Sequence, residues 1–573
     1  MAGRGAARSE HADVATGEGH DQWLDGADRR DGPSLTARAA SGLRWSSVGG
    51  SALMVANFAY TVTISRLLDP AAFGLMALAL LVVLFALFLP RMGLASALVQ
   101  KPVLSSDEIR AASTAGIAIG VVCFGLTWVL APLVGAMFRA PDLPPVLRLL
   151  GVMFLFEGLV AVGMGLLRRQ LRFRELSEIT VGTYVLGFLV VAVGMALLGA
   201  GVWSLVVGAL VSSGSQMVWQ YALLRHPIRP VFRWEPYRDV CGYGMRLTGA
   251  HILDYVGASL DTFTVGRFTG TAVVGQYSRG YYMAFQPLRT YLAQALTLVL
   301  FPHLSRIQHD ATRLRRAYVS VLALGGILVF PVCAGMAVAA SELVRVVLGP
   351  QWSLAATVVP WFALAGGCSV MSALSQTVAE ARADLYRSLA VQATYITVLA
   401  AFLAVALDHR SHGIWVFAAA VAAAEVLRHA GYLRLMRRVV GLTMTQVWAS
   451  YAPAAFASGG VALAMVVIRR ALATEAPTLV TFAAEVAAGA FAFSLCIRFC
   501  PLPAIRRELR MRLREAGVLG GVGGRRWRLA PLVLGQPPQH FGNARQRRQH
   551  FVKARQPPQH FVKARQHASD PRS

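Results

Sequence analysis

Apolar stretches long enough to cross a bilayer recur from about residue 45 to about residue 498, separated by short polar connections. A spanning helix needs roughly 20 mainly apolar residues. Lipid offers no partner to an unpaired backbone N–H or C=O, so stretches of this kind are helices and not open strands. The pattern predicts about fourteen of them, the first near 45–66, the seventh near 241–265, the eighth near 283–301 and the last near 478–498. Gln286, Pro287, Arg289 and Gln294 interrupt the eighth. The predicted fold class is therefore all-α integral membrane. So little chain is left outside the spans that a soluble active site has no room, and transport is the default expectation.

A repeat divides the spans. Arg66 is followed eight residues on by Gly74, and Arg267 eight residues on by Gly275; each pair sits just after an odd-numbered span, the first and the seventh. Six intervening spans give both copies the same polarity, which predicts two parallel six-helix lobes related by an axis along the membrane normal, plus two extra helices. The layout expected is a disordered tail over 1–40, helices one to six over 41–222 and a linker over 223–240. Helices seven to twelve follow over 241–440, then helices thirteen and fourteen over 441–500. A basic low-complexity tail over 501–573 repeats a ten-residue unit containing His540, His550 and His560, too poor in apolar residues to bury a core.

Charge refines this picture. The 573 residues carry a formal net charge of +26, with mean hydropathy +0.52. In a soluble protein such a balance would suggest nucleic acid; here the arginines cluster in alternate connections, and no nucleic-acid partner is expected. Arg168, Arg169, Arg172 and Arg174 fill one connection, Arg306, Arg313, Arg315 and Arg316 another, and Arg428, Arg434, Arg437 and Arg438 a third. The opposite connections hold fewer, among them Arg66, Arg139, Arg267 and Arg279. The positive-inside rule places both termini in the cytoplasm, as an even span count requires, in a multi-pass protein of a bacterial plasma membrane. The six cysteines form no CxxC pair, and no glycine-rich nucleotide loop, metal cluster or Ser/His/Asp grouping stands out, so neither an enzyme nor a cofactor or metal site is expected.

Several segments resemble a known family. Gly42-Leu-Arg-Trp45 opens the first span, and Ser65-Arg-Leu-Leu-Asp-Pro70 with Phe73-Gly74 follows it. Met92-Gly-Leu-Ala-Ser-Ala-Leu-Val-Gln100, Leu171-Arg-Phe-Arg174, Gly201-Val-Trp-Ser-Leu-Val206 and the set Asp261, Gly266, Gly275 and Tyr277 continue the likeness. Together, over roughly residues 40–500, they resemble polysaccharide exporters of the Wzx type, including colanic-acid and teichuronic-acid exporter relatives, within the multidrug/oligosaccharidyl-lipid/polysaccharide superfamily. The resemblance implies a central cavity between the lobes that opens to alternate sides. It also implies an undecaprenyl-diphosphate-linked glycan as cargo, with membrane lipids and a polysaccharide polymerase as partners. A multidrug or cation antiporter and a peptidoglycan-precursor flippase share the helix layout and stand as alternatives, ahead of a membrane glycan polymerase or transferase.

Such a cargo brings anionic oxygens and sugar hydroxyls into a medium without water. Arginine suits the first because its planar fork donates paired hydrogen bonds to phosphate. Arg91, beside Pro90, and Arg289, beside Pro287, are the cavity candidates, with Asn57, Gln286, Gln294 and Tyr281 as polar groups for the glycan. For ion coupling the candidates are the intramembrane carboxylates Asp254, Glu157 and Asp261. Asp261 is also expected to pair with Arg267 and fix a helix end.

Overall fold

The computed structural model describes residues 35–100, 104–228, 255–382, 384–472 and 477–499. Every regular element among them is helical. In the first half, α1 is Leu35–Leu67, α2 Pro70–Gln100 and α3 Ser106–Phe138. Next come α4, broken into Leu143–Leu150 and Met153–Arg169, then α5, Phe173–Leu197, and α6, Val202–Leu224. In the second half, the described part of α7 covers residues 255–268. Helix α8 runs from Thr271 to Arg306 and α9 is Ala311–Val338. Then follow α10, Ser353–Ala381, α11, Leu385–Asp408, α12, Trp415–Val439, α13, Met444–Leu472, and α14, Thr478–Phe499. Twelve helices among the described residues are long and apolar enough to cross a membrane; α7 and α8 are outside that set. The protein is thus an all-α, multi-pass membrane protein.

The connections carry the signals that stop and start these helices. Ser105 caps α3 with a reciprocal pair: its hydroxyl accepts from the Glu108 amide at 3.3 Å, and its own amide donates to the Glu108 carboxylate at 2.9 Å. Asp310 caps α9 by accepting from the amides of Thr312 and Arg313, both at 3.0 Å. Thr443 and Gln446 repeat the reciprocal device at α13. Each satisfies donors that a helix start leaves free.

Helix α8 departs from the expected boundary. It begins at Thr271, where the sequence predicts a connection lasting until residue 283. The first segment, Thr271–Gly280, is too polar to read as a lipid-facing span, yet Gln276, Tyr277 and Ser278 are buried in it. Its surroundings are protein, so hydropathy is the wrong gauge. Beyond it the helix widens into π turns at Tyr281–Phe285 and Pro287–Leu292. Proline at 287 lacks the N–H that an α-helical ladder would use there, and π turns commonly absorb such a defect.

The two copies of the repeated turn meet each other. A Cβ added to Gly74 would collide with the Thr271 carbonyl, and one added to Gly275 would collide with the Pro70 carbonyl. Each added Cβ would also stand 3.1 Å from the other glycine's amide nitrogen. Pro70 and Gly74 thus face Thr271 and Gly275 reciprocally, and only residues without a side chain allow the backbones so close. Side chains extend this seam. Gln351 Nε2 and Trp352 Nε1 both donate to the Ser65 carbonyl, at 2.7 and 2.8 Å. Gln276 donates to the Gln351 carbonyl at 2.6 Å and accepts from the Ala355 amide at 3.0 Å. Arg66 reaches the Val346 carbonyl, and Trp352 packs edge-on against Phe73 at 5.2 Å between ring centres.

At the other, arginine-rich end the described hydrogen bonds stay within one half. Arg169 donates to the Leu98 carbonyl and Ser177 to the Trp45 carbonyl; Arg382 donates to the Gln308 carbonyl and Arg315 to the Gly441 carbonyl. The described polar contacts between the halves therefore gather around the glycine seam. Gly74→Ala or Gly275→Ala is expected to cost about 1–3 kcal/mol by overpacking, whereas Gly50→Ala, with open space around it, stays within about 0.5 kcal/mol. Thermal unfolding in detergent checks both. The double seam variant is expected to lose less than the sum of the singles, because either one already parts the backbones.

Candidate functional site

Below the seam, α2, α7 and α8 enclose a cavity of 190 Å3 lined by Leu80, Leu84, Tyr255, Ser259, Tyr281 and Gln286, among others. Tyr255 bridges the halves there, its hydroxyl donating to the Leu81 carbonyl at 2.7 Å. Tyr281 and Gln286, both anticipated from the sequence, are brought together in this wall.

The cation of this region is Arg279. Its guanidinium carbon lies 3.9 Å from the centre of the Phe73 ring and 5.8 Å from that of Tyr282. Tyr60, Tyr184 and Tyr282 are within its electrostatic reach. Tyr60 stacks edge-on against Tyr184 and Phe188, at 6.2 and 5.2 Å, and Asn57 Nδ2 donates to the Tyr184 hydroxyl at 2.9 Å. Phe73 of α2 and Tyr282 of α8 thus set their rings against one arginine, where the ring quadrupoles offset part of the cost of its charge, with the Tyr60–Tyr184 pair of α1 and α5 nearby. The Arg279 Nε is buried with no acceptor, and among the described residues no carboxylate pairs with the group.

Sequence reasoning placed Arg279 in an outer connection and passed over it. The residue stands eight positions into α8, about 12 Å from the start of the helix at 1.5 Å per residue. A polar run interrupted by apolar Val273, Val274 and Tyr277 was the available signal, because those positions recur at helical spacing.

The remaining candidates fall out as follows. Arg289 sits in the second π turn of α8, its guanidinium 5.7 Å from the Phe285 ring centre. Gln294 is exposed at the start of the following α-helical segment. Arg91 belongs to α2, but its side chain, like the whole of Asp254, lies outside the described residues. Glu157 is buried inside the first half, accepting from the Ser213 hydroxyl at 3.0 Å.

Asp261 corrects an expectation. It accepts a hydrogen bond from the buried Tyr277 hydroxyl at 2.9 Å and does not pair with Arg267, whose guanidinium stands over the Phe268 ring. Six residues of helix turn about 600° at 3.6 residues per turn, so the two side chains leave different faces. A second buried polar cluster joins α10, α11, α12 and α13. Glu425 and Arg428 form an ion pair at 2.7 Å, Arg428 donates to Ser369 at 3.1 Å and lies over the Tyr395 ring, and His429 bonds the Tyr451 hydroxyl at 2.7 Å. Glu425 and Arg428 compensate each other's charge, whereas among the described residues Arg279 has no such partner.

The cavity and its cation thus lie where the two helical halves of a multi-pass membrane protein meet. Lipid II flippase MurJ, in its inward closed conformation, has the same fold: the TM-score is 0.61 at 11% identity, over 82% of this chain and 99% of that one. Residues 63–357, just over half of the sequence, match the family model described as polysaccharide biosynthesis protein, and the chain belongs to that family. The lipopolysaccharide biosynthesis protein WzxC of Escherichia coli (strain K12) is 26% identical over 326 residues, which is 56% of this chain and 65% of the relative. The succinoglycan biosynthesis transport protein ExoT of Rhizobium meliloti (strain 1021) is 27% identical over 336 residues, 58% and 68% respectively.

The two buried groups of α7 and α8 are expected to separate in a stability measurement. Tyr277→Phe removes a donor from a carboxylate that is 3% exposed and should cost about 1–3 kcal/mol. Arg279→Gln breaks no ion pair and should leave the melting temperature within a few degrees of the parent. A large loss for Arg279→Gln would mean that the arginine holds the fold together and is not held free within it.

Proposed function

We propose that the protein flips a lipid-diphosphate-linked oligosaccharide across the cytoplasmic membrane by alternating access, supplying cell-surface polysaccharide synthesis. The observation that carries this reading is Arg279, a cation placed against aromatic rings between the two halves of a family member and, among the described residues, left without a carboxylate. An anion is the missing partner. A diphosphate accepts paired hydrogen bonds from a guanidinium, and the surrounding rings of Tyr60, Tyr184 and Tyr282 present hydroxyls and flat apolar faces of the kind a sugar ring covers.

In this reading the halves, α1–α6 and α7–α12, are two six-helix lobes around a central cavity, with α13 and α14 added outside the repeat. By the positive-inside rule both termini and the arginine-rich end face the cytoplasm, and the glycine seam then serves as the outer gate. The cargo enters from the inner leaflet as an undecaprenyl-linked diphosphate, its phosphates on Arg279 and its glycan against Asn57, Gln286 and the tyrosines. Arg289 extends the cationic path. The seam then parts while the arginine-rich ends converge. With the cytoplasm negative, outward movement of two negative charges through the whole field gains about 4.6 kcal/mol per 100 mV. Consumption of the product by a polymerase outside adds mass action, so no coupled ion is needed for net export.

Reconstitution into liposomes with a fluorescent lipid-diphosphate oligosaccharide tests the reading, by following the exposure of the label to a membrane-impermeant quencher. Protein-dependent flipping is expected, lost by at least tenfold in Arg279→Gln and partly kept in Arg279→Lys, which retains the charge without the fork. Absence of flipping, with proton-driven efflux of small organic cations from the same vesicles, would make the protein an antiporter instead.

A further inference from the structure

A second cationic feature lies away from the seam, between α11 and α12. A groove of 310 Å3 runs between them, with Val391, Thr394 and Val398 of α11 facing Leu427, Gly431 and Leu435 of α12. Its mouth carries Arg387, Arg434 and Arg438. A second hollow of 380 Å3 shares Arg387 and Arg438 and adds Arg382, Tyr386 and the carboxylate of Asp384. Asp384 is engaged by Arg387 at 2.9 Å, and Arg382 donates to the Gln308 carbonyl at 2.8 Å. Among the described residues Arg434 and Arg438 have no ion pair, so the mouth keeps a surplus of positive charge.

The depth of the groove matters as much as its mouth. From Arg434 to Ala424, the deepest lining residue of α12, there are ten helical residues, about 15 Å at 1.5 Å each. That equals one leaflet of a hydrocarbon core roughly 30 Å thick. The inner end is closed by Arg428 over the Tyr395 ring, and that arginine's charge is already held by Glu425. The lining in between is apolar but for Thr394, whose hydroxyl is spent on the Ala390 carbonyl, and a Cβ at Gly431 would press on Val391 at 3.3 Å, so the missing side chain helps keep the groove open. One end thus fits a phosphate and the rest fits a single extended hydrocarbon chain.

We propose that the α11–α12 groove is a binding site for one acidic phospholipid, its phosphate held by Arg387, Arg434 and Arg438 and one acyl chain lying between the helices. The site is separate from the seam and from Arg279, and it does not depend on what the transporter carries. Its occupant is a resident lipid and not the cargo: a single leaflet-length slot suits an acyl chain, whereas a long polyprenyl chain exceeds it. Bound there, the lipid would tie the ends of α11 and α12 to the leaflet at that side.

Native mass spectrometry of the delipidated full-length protein, titrated with phosphatidylglycerol or phosphatidylcholine, tests this. One phosphatidylglycerol is expected to bind with clear preference. The triple variant Arg387→Gln, Arg434→Gln, Arg438→Gln, altering exposed side chains only, should weaken it on the order of a hundredfold. The control triple Arg306→Gln, Arg313→Gln, Arg316→Gln removes the same charge elsewhere and should weaken it less than threefold. Thr394→Trp fills the groove without changing charge and should also abolish binding; Leu427→Trp on the opposite wall serves if that variant does not fold. Equal loss in the control triple, equal binding of phosphatidylcholine, or unaltered binding in the tryptophan variants would each overturn the proposal. So would displacement of the phospholipid by a polyprenyl diphosphate, which would make the groove a cargo site.

Discussion

The reciprocal approach of Gly74 and Gly275 is the constraint from which the rest of the architecture follows. Inside a bilayer, apolar surface gives no drive for helix association, and close packing has to supply it. Backbone contact at Pro70, Gly74, Thr271 and Gly275 brings the first turns of α2 and α8 together, and everything near that point is arranged to respect it. Ser65, Gln276, Gln351 and Trp352 exchange hydrogen bonds around the contact and Phe73 fills the remaining space. The same contact explains why a segment as polar as Thr271–Gly280 is helical: protein surrounds it and satisfies its side chains.

Placement of the seam also positions the charges. Because α8 is pinned by its first turn, Arg279 is carried to a level where α1, α2 and α5 offer aromatic rings. Asp261, one helix earlier, is occupied by the Tyr277 hydroxyl and cannot turn to the arginine without leaving that phenol unsatisfied. Glu425 is occupied by Arg428 in the second half. These two carboxylates are thus engaged elsewhere, and among the described residues none pairs with Arg279.

Much of this was legible in the sequence, and the parts that were not share a cause. Most spans and the repeated Arg66-to-Gly74 and Arg267-to-Gly275 spacing could be read directly, because lipid-facing helices must be apolar and the close contact must be glycine. Tyr281 and Gln286 were recognisable as polar groups in an interrupted span. Arg279 was not, since Gln276, Ser278 and Arg279 make their segment look like a loop to any reading that gauges hydropathy. The expected pair of Asp261 with Arg267 failed for a geometric reason, six residues along one helix being the wrong spacing. The partner that Asp261 does find, Tyr277, lies on the neighbouring helix, and no local pattern announces it.

The central claim is that the glycine seam must part for transport to occur, and a reversible lock on the seam tests it most directly. Arg66 already spans to the Val346 carbonyl, so Arg66→Cys with Val346→Cys, joined by a cleavable thiol cross-linker of about that reach, would tie the halves together at this end. In liposomes the locked protein is predicted to flip no lipid-linked oligosaccharide and to recover when the linker is cleaved. Unchanged flipping by fully cross-linked protein would contradict the account, because the seam would then be a static joint and the path would lie elsewhere.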